Sequence, residues 1–255
     1  SNSASRNGRR RSVIGELSFV CVFVAPLFAQ AKPVSILTEE WAPYNYTEKG
    51  VLVGFSVEVV QGMLKELKLD CPIQVLPGMR ASQILNSEPR TVMITMLRTP
   101  DREKQYKWIG PLGDGAIYFY KKKGSALVVE SIDDAKNARS VACRNAGLVR
   151  NVLREKGFKN LDATAASVES IYRKLMTDRC DLAVSDAPLG VKHLLKQWRL
   201  PLDTIVQTPV KIVESRMYIA CSKDIPDAEI DLWQHALDKL KATGVYDAIG
   251  RRYVE

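Results

Sequence analysis

The side chains of this 255-residue chain that could do covalent chemistry are few and poorly spaced for it. Its two histidines, His193 and His235, fall in amphipathic helical contexts, and no Gly-x-Ser-x-Gly elbow or metal-ligand spacing accompanies them. The cysteines form no C-x-x-C pair, so with two histidines a zinc site is not expected. Cys143 and Cys180 each abut a predicted strand of the same half, which makes them the one pair that an oxidising compartment could bridge; buried free thiols are the expectation. What remains suits the holding of a small polar solute rather than its conversion. Arg102 carries a rigid two-pronged donor that matches a carboxylate, or else pairs with Asp101 or Glu103 at the surface. Asp186 ends a buried strand, where a carboxylate is costly unless a cation or donors satisfy it, or else caps the helix after Pro188. Ala146 and Gly147 open a helix whose free N–H groups suit an anion, although Gly147 also reads as a turn residue. Trp41 and Tyr44 are either walls for a ligand or plain core.

The elements that must position these residues alternate. Val34–Leu37 reads as a first strand, residues 57–69 as a helix with Val57, Val60, Leu64 and Leu67 on one face, and Ile73–Leu76 as a second strand. A buried segment, Val92–Thr95, precedes the loop Thr99–Arg102. After residue 115 comes Ile117–Tyr120, and a new set begins with the strand Ser140–Cys143 and the helix opened by Gly147, with Leu148, Val149, Val152 and Leu153 apolar. A helix over 167–176, with Val168, Ile171 and Leu175 inward, leads to the strand Asp181–Val184. Met217–Ala220 is a late strand, and Pro226–Asp227 starts a helix striped by Ile230, Trp233, Leu237 and Leu240 that stops at Gly244. Strand and helix repeat in both halves, which predicts an α/β architecture with mostly parallel sheets. No Gly/Ser-rich linker joins the halves, so the chain is expected to cross between them on short strand-like hinges that permit closure around a ligand.

The formal charge of +8 could indicate a nucleic-acid or anionic-membrane partner, but part of it sits at one end. Arg6, Arg9, Arg10 and Arg11 precede an apolar run from Leu17 to Phe28 and the small-x-small sequence Ala29-Gln30-Ala31, the order of a secretory signal. Cleavage after Ala31 removes those arginines and Glu16, leaving 33 basic and 28 acidic residues over 224. No aromatics interleave with Lys121-Lys122-Lys123, so that run reads as a solvated loop and nucleic acid is not an expected partner.

Five segments in order then carry a likeness. They are Glu40-Trp41-Ala42-Pro43-Tyr44, Gly54-Phe55-Ser56-Val57-Glu58, Arg98-Thr99-Pro100-Asp101-Arg102-Glu103, Cys180-Asp181-Leu182-Ala183-Val184-Ser185-Asp186, and Gly244-Val245-Tyr246-Asp247 with Tyr253. Together they resemble the bacterial extracellular solute-binding proteins of family 3, the polar amino-acid binders of ABC importers, over residues 32–255. The resemblance implies a two-lobed periplasmic binding fold of type II, lobes of mostly parallel sheet flanked by helices and joined by a two-strand hinge. Lobe 1 would comprise 32–117 and 214–255, and lobe 2 118–213. It implies no catalysis, no cofactor and no metal. The protein is expected to be a periplasmic monomer that hands a small amino acid or carboxylate to an importer permease, or its closed form to a receptor. Arg102 would hold the ligand's carboxylate with backbone donors near Leu97, Thr95 would lie beside them, Gly147 and Ala146 would add N–H groups, and Asp186 would take the ammonium. Trp41, Tyr44, Met79 and Arg80 would line the side-chain end. Leu97 and Ala146 stand where the family often has hydroxyl residues, and the family often has an aromatic near the position of Met79. Arg80 is an extra charge, which opens the site to dicarboxylates, to amino acids with acidic or large side chains, or to another small anion.

Overall fold

The structure is a computed structural model in which residues 33–185 and 188–254 are described. The predicted signal segment and Asp186 lie outside them.

Two five-stranded sheets organise the described chain. In the first, β1 (Ser35–Thr38) pairs parallel with β4 (Ile73–Val75) and β5 (Thr91–Leu97). Then β12 (Arg216–Cys221) lies antiparallel between β5 and β6 (Lys107–Asp114). β5 is buried at all seven positions, as a central strand covered on both faces must be. A small hairpin, β2 (Tyr46–Glu48) with β3 (Val51–Val53), follows the first strand. In the second sheet β8 (Val141–Arg144) pairs parallel with β9 (Leu161–Ala165) and β10 (Leu182–Ala183), and β7 (Ile117–Lys122) runs antiparallel to β10 and β11 (Ile205–Val213). Each sheet thus has a parallel core of three strands extended by antiparallel strands. The antiparallel strands are those that cross between sheets, β6 into β7 and β11 into β12, and the crossings are tied together where Gly115 N–H donates to Ser215 O at 3.1 Å.

Helices cover the sheets. In α1 (Phe55–Leu67) Val57, Val59, Val60 and Met63 are fully buried, packing with Trp233, Leu237 and Leu240 of α7 (Asp227–Ala242) in one apolar cluster. α2 (Gly78–Ser87) rests on the first sheet through Ala81 and Leu85, and α8 (Val245–Val254) closes the chain. On the second sheet α5 (Val168–Met176) buries Ile171, Tyr172 and Leu175, and α6 (Pro188–Gln197) buries Val191, Leu194 and Leu195. α3 (Ile132–Asn137) and α5 begin with reciprocal caps, Ser131 with Asp134 and Ser167 with Ser170. α4 (Leu148–Glu155) does not: its N-cap is Gly147, no side chain caps it and its first turn holds no acid.

Three of the five segments turn out to brace one another. Gly54 has φ 130°, and a Cβ there would lie 2.3 Å from the Tyr44 carbonyl oxygen, so the turn requires glycine. Phe55 then stacks edge-on against Tyr246 and Tyr253 of α8. Lys121 and Lys122, read from sequence as solvated loop, belong to β7; Lys121 donates to Leu127 O, and Lys122 and Lys123 pair with Asp178 and Asp203. The two lysines fall at the end of β7, where long charged side chains reach past the sheet to partners at its rim, so the run of charge hid the strand. Cys71, Cys143, Cys180 and Cys221 are free and buried.

Candidate functional site

The carboxyl ends of the parallel strands carry most of the expected contacts, which is where open α/β sheets place ligands. β5 ends in an irregularity. Thr95 has φ +62°, a left-handed conformation unusual for a β-branched residue, at the place where the register of β5 against β12 shifts. Its hydroxyl is buried and has no hydrogen-bond partner among the described residues. Strain and an orphaned donor together at a strand end are features that functional sites retain.

Arg102 follows in a turn closed by its own N–H on Thr99 O at 3.0 Å. Its Nη1 donates to the Leu97 carbonyl at 3.1 Å, which anchors the guanidinium at the end of β5. The observed Leu97 contact is therefore an acceptor for Arg102. Neither acidic neighbour claims Arg102: Asp101 accepts from the Thr99 hydroxyl at 2.6 Å, and Glu103 pairs with Arg98. Arg98 is held between the rings of Trp108 and Tyr218, 5.5 and 4.9 Å from their centroids. The loop is thereby clamped by Arg98 while Arg102 keeps most of its donors uncommitted.

Trp41 and Tyr44 sit in the turn after β1, T-shaped at 5.1 Å, with Trp41 N–H donating to Asn45 O. Tyr44 is only 4% exposed and packs into the core, whereas Trp41 is half-buried. Ala146 and Gly147 are exposed at the uncapped start of α4, whose free N–H groups and positive dipole end suit an anion. Met79 and Arg80 occupy the first turn of α2, with Met79 74% exposed.

One residue in this constellation escaped the sequence reading. Glu39 directly follows β1, and burial raises its carboxyl above the usual range, opposed by the positive charges of Arg144 and then Arg102. A Cβ at Gly78 would meet its Oε2 at 2.1 Å, so the start of α2 is shaped around this carboxylate. Glu39 and Arg102 belong to the first sheet's side and Arg144 to the end of β8, so groups from both sheets converge electrostatically. A second contact across the sheets joins Tyr46 of β2 and His193 of α6, rings 5.2 Å apart. In sequence Glu39 was one acid of a Glu-Glu pair before an aromatic; its burial is a product of packing.

A cavity of about 580 Å³ shares only Tyr44 with the expected contacts; its walls come from Phe55, Gly113, α6 and α8. No group of His, Cys, Asp and Glu among the described residues is arranged to hold a metal.

A profile of the bacterial extracellular solute-binding proteins, family 3, matches residues 34–255. The chain belongs to that family. As a family 3 solute-binding protein it is a binder, not an enzyme, with the two-lobed α/β fold of periplasmic binding proteins. It is similar to the probable amino-acid-binding protein YxeM of Bacillus subtilis (strain 168), 22% identical over 83% of this chain and 79% of that protein. It is also similar to an arginine-binding periplasmic protein of Mannheimia haemolytica, 22% identical over 68% of this chain and 69% of the other. Among solved structures, a histidine kinase sensor domain with similarity to periplasmic binding proteins superposes with a TM-score of 0.74, at 19% identity over 88% of this chain and 97% of that domain. No helix among the described residues of this family 3 protein is long and apolar enough to cross a membrane.

Proposed function

We propose that the protein captures an amino acid between its lobes in the periplasm and delivers it, as a monomer, to an importer permease. The observation that carries this reading is Arg102, anchored on Leu97 O yet released from both acidic neighbours, beside the strained Thr95. Such a group is poised for a carboxylate that the protein itself does not supply. Thr95 and the N–H groups at Ala146 and Gly147 would add donors, and Asp186, outside the described residues, would take the ammonium. Trp41, Met79 and Arg80 would border the side-chain end, while Tyr44 would support Trp41 from the core. The lobes would be residues 32–117 with 214–255, and 118–213; the way the strands divide between the two sheets supports this partition. Export would rest on the Arg-rich, apolar segment before Ala31.

A thermal-shift screen tests the reading. An amino acid present at 100 times its dissociation constant should add about 2.7 kcal/mol of stability. Failure of every amino acid and small carboxylate to raise the melting temperature would count against ligand capture. The likeness to a kinase sensor domain supports a second reading, in which the closed form is presented to a receptor. Pull-down of a permease rather than a receptor by the ligand-loaded protein separates the two.

A further inference from the structure

The cavity of about 580 Å³ lies where β6 leaves the first sheet for the second, and the site built on Arg102 makes no use of it. One wall belongs to the first sheet's side: Phe55 opens α1, and Tyr246 and Gly250 belong to α8. Another is the start of α6, with Leu189 and Lys192, a helix that packs on the second sheet. Gly113 and Asp114 border the space at the crossing itself. Phe55 and Tyr246 meet edge to face at 5.4 Å, an arrangement that leaves ring surface for a third ring. Two glycines keep the space clear: a Cβ at Gly113 would already stand 3.6 Å from Phe55 Cε1, and one at Gly250 3.7 Å from Cε2. A mostly apolar chamber of this size, at the junction of two sheets, has the character of a small-molecule site.

Four charged groups border the chamber, and the acids have partners that the bases lack. Asp114 Oδ1 accepts from Ala116 N–H at 3.4 Å, and Asp247 stands in the first turn of α8, where free N–H groups favour an acid. Both acids also border a neighbouring cavity lined by Arg216 and Lys241, which sets cations near them on that side. Lys192 of α6 and Arg251 of α8 are exposed, and their side chains have no hydrogen bond or ion pair with any other described residue. We propose that the chamber binds a small aromatic carboxylic acid, with its ring against Phe55, Tyr246 and Leu189 and its carboxylate turned to Lys192 and Arg251. A neutral ring would leave both cations without a partner, and an aromatic amine would set a like charge against them. The site is separate from amino-acid capture and does not depend on it. Because its walls come from both sheets, an occupant fits one spacing of α6 from α8 and so favours one degree of closure over others.

Titration calorimetry with indole-3-acetate, indole and tryptamine, one ring system carrying a negative charge, no charge and a positive one, tests the proposal. The wild-type protein should bind indole-3-acetate at least about tenfold tighter than indole, a gap of about 1.4 kcal/mol, and tryptamine most weakly. Two variants, each first shown to melt cooperatively, locate the site. Gly250→Leu puts a side chain into the chamber and should abolish binding of the acid. Lys192→Gln combined with Arg251→Gln leaves the chamber its shape and should remove the preference for the acid over indole. No binding of indole-3-acetate by the wild type, or tightest binding of tryptamine, would overturn the proposal. Undiminished binding of the acid by Gly250→Leu would overturn it as well, because the carboxylate would then be held elsewhere, as at Arg102.

Discussion

At Arg102 a single hydrogen bond separates two roles. A guanidinium paired with Asp101 or Glu103 would be an ordinary surface charge of little worth. With Asp101 turned to Thr99 and Glu103 to Arg98, it is a donor in reserve. Arg102→Ala should weaken binding of a carboxylate ligand by about 2 to 4 kcal/mol, the cost of removing one member of a desolvated charge pair. Calorimetry that gives the same affinity for both proteins would take Arg102 out of the site. The thiols behave in the opposite way, as groups withdrawn from chemistry. Burial pushes Cys221 up to about 12 and Cys180 to about 11, so little thiolate exists near neutral pH. Thiol reagents should therefore label these two only after denaturant is added, and prompt labelling of the native protein would contradict their burial.

At the scale of elements, the contrast among helix starts carries the argument. α3 and α5 satisfy their own first-turn N–H groups with capping boxes, and α4 leaves its own free. Ser131→Ala should cost about 1 kcal/mol of stability in urea unfolding, as N-cap losses do, with ligand affinity unchanged. The β2–β3 hairpin and α6 meet through Tyr46 and His193. Burial holds the His193 imidazole below its ordinary value of 6.5; Glu48 on the hairpin opposes this, and Lys196 on its own helix reinforces it. Its Nε2 is buried and has no partner among the described residues. A base with a depressed folded value favours the packed state fully above about pH 6.5 and loses that contribution as pH falls below it. Ligand affinity should accordingly weaken between pH 7 and pH 5, and His193→Phe should flatten the profile. A profile identical in the variant would exclude this contact as the cause.

For the whole molecule, the decisive feature is that, among the described residues, two extended segments join the sheets, at 114–117 and 213–216, bonded side by side through Gly115 and Ser215. Paired crossings of this kind allow bending about one axis and resist twisting, and a ligand that touches both sides favours closure by its differential affinity. Small-angle scattering should show the radius of gyration falling when a stabilising amino acid is added. An unchanged radius with clear binding would mean that the cleft is already closed when empty.

Much of this was legible in one dimension. Buried strands announce themselves as apolar runs: Val92–Thr95 and Asp181–Val184 led to β5 and β10, and the stripe from Ile230 to Leu240 gave the inner face of α7. Short edge and amphipathic pieces did not: β9, the β2–β3 hairpin, α2 and α3 carry too few apolar residues for their period to show. The five spaced segments determined the family, because each is a short local pattern that can be read without its tertiary context. Glu39 lay beyond any such reading, because an acid in a polar stretch looks solvated until the chain folds. Only the tertiary structure brings its carboxylate against Gly78, 39 positions further along the chain, and desolvation there is what raises the carboxyl above its usual range.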